Sequence, residues 1–342
     1  MRSTAPIAQT ARVLAGCALA GLLGLGLLGC AGSSGDDAPQ LPPGAVTLPA
    51  AQLTPNASAP ASSSSKPDSQ GCANVTASLR PQGPLPAPGD MPAGTFMRTI
   101  QQRGRLIAGV DQNSLLLSYL NPFDDQIEGF DVAMLREVAR AIFGNPNAIE
   151  FKAISSAQRI PAIQSQSVDI VADAMTINCE RARQVAFTTV YFEAGQRILV
   201  PSNSPVRSVR DLAGRRVCAT EGSTSLENIR RLAPRAIPYP VPLRTDCMVA
   251  LQEGKVEAIS TDDSILEGFR AQDPYSKIVG ERISIEPYGM AINKDHPEFV
   301  RFVNGVLASM RADGRWEAVY RSWLGRVTGA PALAPPQARY RD

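Results

Sequence analysis

Histidine is nearly absent from this 342-residue chain: His296, in the stretch KDHPE, is the only one. A histidine-based nucleophilic triad and a His-rich metal site are therefore excluded, and KDHPE reads as a solvated helix start. No charge of one sign dominates. Basic and acidic side chains number 34 and 32, and beyond residue 29 they balance at 32 each. That argues against nucleic-acid binding, which needs a basic face. Long apolar runs are lacking too. The stretch VLAGCALAGLLGLGLLGC, Val13 to Cys30, is short for a membrane span and rich in Gly and Ala. Cysteines are few, six in all, and none stand in C-x-x-C spacing. Neither a metal nor a cofactor is expected.

What is present starts with the leader. Arg2 and Arg12 precede the apolar stretch, so residues 1–29 read as a signal peptide. Its end, L-L-G-C, resembles the lipobox of bacterial lipoproteins, and polar AGSSGDD follows at once. The resemblance implies that Cys30 becomes the first mature residue and carries lipid. The protein would then be anchored on the extracytoplasmic face of the cell membrane. Cys17 leaves with the leader. Cys72, Cys179, Cys218 and Cys247 remain, an even number in an oxidising compartment, which implies two disulfides. Four cysteines allow three pairings.

Residues 30–97 are rich in Pro, Ser, Ala and Gly, as in LPPGAVTLPAAQLTPNASAPASSSSKPDSQ. Such a segment buries too little apolar surface to fold and is expected to be a tether. From Arg98 the pattern changes. RLIAGV (105–110) and IEFKAI (149–154) read as strands. GFDVAMLREVARAIFG (129–144) places Val132, Leu135, Val138, Ala139 and Ile142 at helical spacing, with Gly144 at its end. SSAQRIPAIQSQ starts a helix at a serine cap, and SVDIVADAM is the next strand. Alternating strands and helices predict an α/β fold.

Two internal echoes suggest that the body is built twice. PAIQSQSVDIVAD (161–173) matches VALQEGKVEAIST (249–261) without a gap, and GRLIAGVD (104–111) matches GRRVCATE (214–221). Two lobes of similar plan are expected, with a ligand cleft at the carboxyl ends of their strands. Those ends are Asp111 and Ala174-Met175-Thr176 in the first lobe. In the second they are Glu221-Gly222-Ser223-Thr224 and Thr261-Asp262-Asp263.

One stretch, ADAMTINCER (172–181), places an arginine where a helix begins. A helix N-terminus already carries partial positive charge, so a cation there calls for an anion. Asn178 is a good N-cap, and Arg181 falls in the first turn beside free amides and just beyond Thr176. Guanidinium, hydroxyl and backbone N–H together make a carboxylate receptor.

Over residues 98–326 the chain resembles the polar-amino-acid solute-binding proteins of bacterial ABC importers. The resemblance rests on GRLIAGVD, EGFDVAMLREVARAI, ISSAQRIPAIQSQSVDIVADAMTINCERARQVAFTTVYFEAGQRILV, DLAGRRVCATEGSTS, ALQEGKVEAISTDDSIL, PYGMAINKD and VNGVLASMRADGRWEAVYRSWLG. It implies a two-lobed periplasmic-binding-protein-like fold with a two-strand hinge. It implies that Arg181 holds the ligand α-carboxylate with help from the Thr176 hydroxyl. The G-S-T-S turn, with Ser223 and Thr224, would add backbone N–H groups from the other lobe, and Asp262 would take the α-ammonium. Ala174 lies on the same loop. In the acidic-amino-acid branch a motif like S-x-x-R-I-P reaches the ligand side chain; here it supplies Ser156 and Arg159, favouring glutamate or aspartate. Asp111, after the first strand, fits the branch that binds amides such as glutamine. The family's P-F wall is replaced by Leu116-Leu117.

On this reading lobe 1 spans 98–199 plus 289–326, lobe 2 spans 200–288, and 327–342 is a C-terminal tail. The crossovers fall near RILVPSNS (197–204) and SIEPYGMAI (284–292). Trp316, Tyr320 and Trp323 form a core stripe on the last helix. Cys72–Cys179 would clamp the tether to lobe 1 and Cys218–Cys247 would lie within lobe 2, since a bridge between lobes would oppose hinge motion. The function read from this is a monomeric, non-enzymatic receptor that closes on one amino acid and presents it to an ABC permease. The same body could report amino-acid levels to a membrane signalling receptor. An enzyme on this scaffold, a dehydratase or lyase, would have to draw an acid/base pair from Glu221, Asp111 and Asp263.

Overall fold

The computed structural model describes residues 72–325, 327 and 333–341. The leader, Cys30 and most of the tether lie outside the described residues. From Cys72 the chain forms a short strand β1 (Ser78–Leu79), helix α1 (Phe96–Arg103) and strand β2 (Leu106–Val110). A small antiparallel ribbon follows, β3 (Asn113–Ser114), β4 (Ser118–Leu120) and β5 (Ile127–Glu128), then α2 (Phe130–Phe143) and β6 (Ile149–Ala153). Next come α3 (Arg159–Gln164), β7 (Ile170–Val171), the single turn α4 (Cys179–Ala182) and β8 (Ala186–Phe187). The second lobe is entered through β9 (Phe192–Pro201). It holds β10 (Arg216–Thr220), α5 (Thr224–Leu232), β11 (Ile237–Val241), α6 (Arg244–Gln252), β12 (Ala258–Asp262) and α7 (Asp263–Gln272). The long β13 (Ser276–Tyr288) returns to lobe 1, which closes with β14 (Ala291–Ile292), α8 (Pro297–Ala312) and α9 (Arg315–Trp323). A last strand, β15 (Tyr340–Arg341), follows.

Each lobe is a five-stranded mixed sheet of one plan: β6-β2-β7-β14-β8 in lobe 1 and β11-β10-β12-β9-β13 in lobe 2. In each, the first three strands run parallel and the remaining two pair antiparallel. The echoed segments occupy matching places, β2 beside β7 and β10 beside β12. Local signals act as the sequence predicts. Val132, Leu135, Val138, Ala139 and Ile142 of α2 are all buried, and Gly144 ends the helix at φ 74°, a left-handed cap open to glycine without strain. Trp316 and Tyr320 are buried and Trp323 packs against the same core; the Trp316 indole donates to the Tyr191 carbonyl at 2.7 Å.

Three expectations need correction. The first crossover is not at 197–204. Leu199 already pairs with Ile259 inside the lobe 2 sheet, and Pro201 ends β9 opposite Ser276. The chain leaves lobe 1 at Phe192–Ala194, paired with Glu286–Tyr288 of β13, so the hinge is that pair of strand ends. Ile198, Leu199 and Val200 are apolar because they fill the middle of a sheet covered on both faces.

The second correction concerns residues 72–97, which are packed on lobe 1 rather than acting as tether. Cys72 is bonded to Cys179. The buried Ser78 hydroxyl donates to the Phe187 carbonyl at 2.6 Å and accepts from Asn304 at 2.8 Å, and Met91 is buried. The third concerns the tail. Within 327–342, Tyr340 and Arg341 pair in parallel with Ser78 and Leu79, and Arg311 Nε donates to the Pro336 carbonyl at 3.0 Å. A segment without a core of its own can borrow one, and composition alone does not show the lender. The second disulfide, Cys218–Cys247, ties β10 to α6 within lobe 2.

Candidate functional site

The carboxyl ends of β7, β10 and β12 meet between the lobes. After β7 the chain turns through Ala174 at φ 42°, a left-handed value uncommon outside glycine. Asp131, in the first turn of α2, holds that turn by accepting from the Ala174 amide at 2.8 Å and the Tyr191 hydroxyl at 2.8 Å. Burial pushes the Asp131 pKa up to about 7. The turn delivers Thr176, and Asn178 caps the next helix by accepting from the Arg181 amide at 2.9 Å.

Arg181 and Arg159 are both buried. Arg181 donates to the Thr176 carbonyl at 2.8 Å and to the Gly222 carbonyl at 3.1 Å. Arg159 donates to the carbonyls of Ser156 and Asp173, each at 2.9 Å, and to that same Gly222 oxygen at 3.1 Å. Two guanidinium groups from lobe 1 therefore converge on one oxygen of lobe 2. Arg181 has no carboxylate within ion-pair distance among the described residues, and the nearest to Arg159 is Asp173, 3.8 Å away. Burial and then the neighbouring Arg181 push the Arg159 pKa down to about 9, and burial lowers that of Arg181. Gly222 can stand there because it has no Cβ: at φ 70°, one would lie 2.8 Å from Ala157 Cα across the cleft. The turn was expected to offer N–H groups, yet it meets the arginines with a carbonyl. Its Ser223 hydroxyl donates to the Thr220 carbonyl at 2.6 Å and accepts from the Leu226 amide at 3.1 Å, as an N-cap for α5.

Asp262 faces this pair from lobe 2. It is buried; one oxygen accepts from the Tyr288 hydroxyl at 2.6 Å, and the other, Oδ1, has no hydrogen-bond partner among the described residues. Burial, then nearby Glu286, pushes its pKa up to about 7. Asp263 is structural by contrast, accepting from the Gly195 and Ser264 amides and pairing with Arg282 at 2.7 Å. Ser156, Arg159, Ala174, Arg181, Ser223, Thr224 and Asp262 all line one cavity, so the structure brings these predicted residues together. Thr176 adjoins it through Thr224, hydroxyl to hydroxyl at 3.5 Å. The cavity is small, about 10 Å³, room for roughly one water; an amino acid can enter only with the lobes further apart. A wider groove of about 700 Å³ runs between Cys72, Phe187 and Tyr340, but none of the predicted ligand residues reaches it.

Asp111 is not among the residues lining the cavity. It is held by Arg244, a residue the sequence reading passed over. From the first turn of α6 in lobe 2, Arg244 crosses into lobe 1 and pairs with Asp111 at 2.9 Å and Asp173 at 2.6 Å. It also donates to Ser114 at 3.0 Å and Ser156 at 3.2 Å. Burial works against its charge, but Asp173 and Asp111 outweigh burial and hold its pKa above the ordinary value. The signal that marked Arg181, a cation in a helix's first turn, was available for Arg244 too. Glu286 was also missed. It lies on β13 at the hinge and accepts from Thr176 at 2.6 Å and Thr224 at 2.8 Å. Of the carboxylates an enzyme would have drawn on, Asp111 is paired with Arg244, Asp263 is engaged structurally and Glu221 is exposed.

The chain has relatives among known proteins. The profile of the family described as "Bacterial extracellular solute-binding proteins, family 3" matches residues 106–326. The chain is 34% identical to the "ABC transporter glutamine-binding protein GlnH" of Bacillus subtilis (strain 168), over 67% of this chain and 84% of that one. It is 29% identical to the "Glutamate-binding protein GluB" of Corynebacterium efficiens, over 70% and 86%. Among solved structures, "An ancestral arginine-binding protein bound to glutamine" superposes with a TM-score of 0.61 at 32% identity, over 65% of this chain and 99% of that one.

Proposed function

Since the chain belongs to the bacterial extracellular solute-binding proteins, family 3, we propose that it is a non-enzymatic receptor for one free polar amino acid. It serves an ABC importer and is held at the membrane by a lipid on Cys30. The observation that carries this reading is the convergence of Arg159 and Arg181 on a single oxygen, with the half-satisfied Asp262 carboxylate on the same cavity. A zwitterion needs an anion receptor and a cation receptor a few ångströms apart. Splitting them between lobes makes the ligand itself the cross-link that drives closure. Arg181 takes the α-carboxylate and Asp262 the α-ammonium. Arg159, with Ser156 beside it, faces the ligand side chain.

A second buried guanidinium, whose nearest carboxylate among the described residues is Asp173 at 3.8 Å, favours an acidic side chain, so glutamate or aspartate comes first and glutamine or asparagine next. The names of the relatives, glutamine-binding and glutamate-binding, support that group of ligands. Among the described residues no helix is long and apolar enough to cross a membrane. Calorimetric titration of the protein with all twenty amino acids tests the assignment. Heat from glutamate, aspartate, glutamine or asparagine is expected; heat only from sugars, peptides or basic amino acids would overturn it. Mass spectrometry of the membrane-extracted protein should find an N-terminal lipidated Cys30.

A further inference from the structure

Glu286 is a carboxylate in a place where the proposed ligand would bring its own. Only 2% exposed, it sits on the hinge strand β13 opposite Ala194. Its Oε1 accepts from Asn228 at 3.2 Å and from the Ser284 hydroxyl. Its Oε2 accepts from Thr176 of lobe 1 at 2.6 Å and Thr224 of lobe 2 at 2.8 Å. Those two hydroxyls stand 3.5 Å apart, one from each side of the cleft, and separate when the lobes do. A hydroxyl has one proton to donate. While Thr176 and Thr224 give theirs to Glu286, neither can donate to the carboxylate of an amino acid. Arg181, whose positive charge Glu286 also feels, lies on the same cavity as Thr224.

We propose that Glu286 is a built-in competitor for the ligand carboxylate: by bridging Thr176 and Thr224 it holds the lobes together in a form that admits no amino acid. Binding then exchanges one carboxylate for another, and the two hydroxyls pass from Glu286 to the ligand. The protein's resting affinity is set by how firmly this bridge is made, since only the unbridged fraction is competent to bind. The idea rests on the receptor reading for its ligand, but the bridge itself is a property of the protein alone.

The test uses Glu286→Ala, with the near-isosteric Glu286→Gln measured beside it in case the alanine variant does not fold. Small-angle scattering is recorded without amino acid, and titration follows with glutamate and glutamine. The expected result is a larger radius of gyration for the variant and a dissociation constant about five- to tenfold lower, as for release of a mostly bridged population. Thr224→Ala should enlarge the radius in the same way. An unchanged radius would overturn the bridge. A larger radius with weaker binding would overturn the competition and make Glu286 part of the ligand's own site. If no amino acid binds to either protein, the receptor reading fails, and the scattering comparison still decides whether the bridge exists.

Discussion

Replacing Arg181 by Met separates a binding role from a structural one. Met keeps an apolar stem of similar length and removes the charge. In the structure the guanidinium donates to two carbonyls, at 2.8 and 3.1 Å, and pairs with no carboxylate among the described residues. A buried cation with no carboxylate in direct contact pays a desolvation cost of several kcal/mol that carbonyl bonds and more distant carboxylates only partly offset. Its removal should therefore cost little stability, and the melting temperature is expected to stay within about 3 °C, or roughly 1 kcal/mol, of the parent. Binding should respond differently. Two parallel charge-assisted hydrogen bonds to a carboxylate contribute about 1.5–3 kcal/mol each. Their loss raises the dissociation constant by roughly 10²–10⁴-fold, at 1.4 kcal/mol per decade. Calorimetric titration and a thermal melt on the same sample read both quantities. Unchanged affinity would refute the assignment of Arg181 to the carboxylate. Lost affinity together with a melting temperature lowered by 10 °C or so would show that the arginine holds the fold instead.

Other consequences can be measured alongside. Arg244→Met leaves Asp111 and Asp173 buried without their shared cation, so unfolding in urea should show a loss of about 3–5 kcal/mol; a loss under 1 kcal/mol would mean the ion pairs hold nothing together. Asp262, with its pKa pushed up to about 7, must be ionised to hold an ammonium. Below pH 7 binding should release a proton and weaken by about tenfold per pH unit, levelling off above pH 7. Buffers of different ionisation heat should report that proton, and Asp262→Asn should abolish both the release and the slope. In the protein without amino acid the sign is opposite. A carboxyl raised from its ordinary 3.8 contributes stability fully below about pH 4 and loses it as pH rises towards 7. Gly268→Ala places a Cβ 2.5 Å from the Leu115 carbonyl across the lobes. It should stop closure short, keeping the radius of gyration large at saturating amino acid, while α7 itself gains up to about 1 kcal/mol of helix propensity.

The sequence by itself settled what short-range chemistry controls. Helical spacing in 129–144, the Asn178 cap and the repeated strand–helix units are relations between residues a few positions apart, and each element follows. The doubled motif was enough to expect two lobes of one plan. The cation at a helix start was enough to suspect Arg181, because an unfavourable charge near free amides has to be answered somewhere; Arg159 came from the resemblance of its S-x-x-R-I-P motif. The assignment of residues 72–97 to a tether failed for a related reason. Their composition forbids an independent core, and only the folded lobe shows that Ser78 and Met91 have a surface to share. The stretch 197–204 was read as a crossover, whereas its apolar residues belong to a sheet interior whose neighbours come from β12 and β13.

What tertiary structure alone decided are the contacts across the cleft. Arg244 meets Asp111 over a separation of 133 residues, and Glu286 meets Thr176 over 110. No periodicity or cap links such pairs. They exist because two separately built sheets are hinged at Phe192–Ala194 and Glu286–Tyr288 and swung together. Which charge answers which is therefore set by the hinge angle and the loop ends it brings face to face, quantities that a linear pattern of residues does not carry.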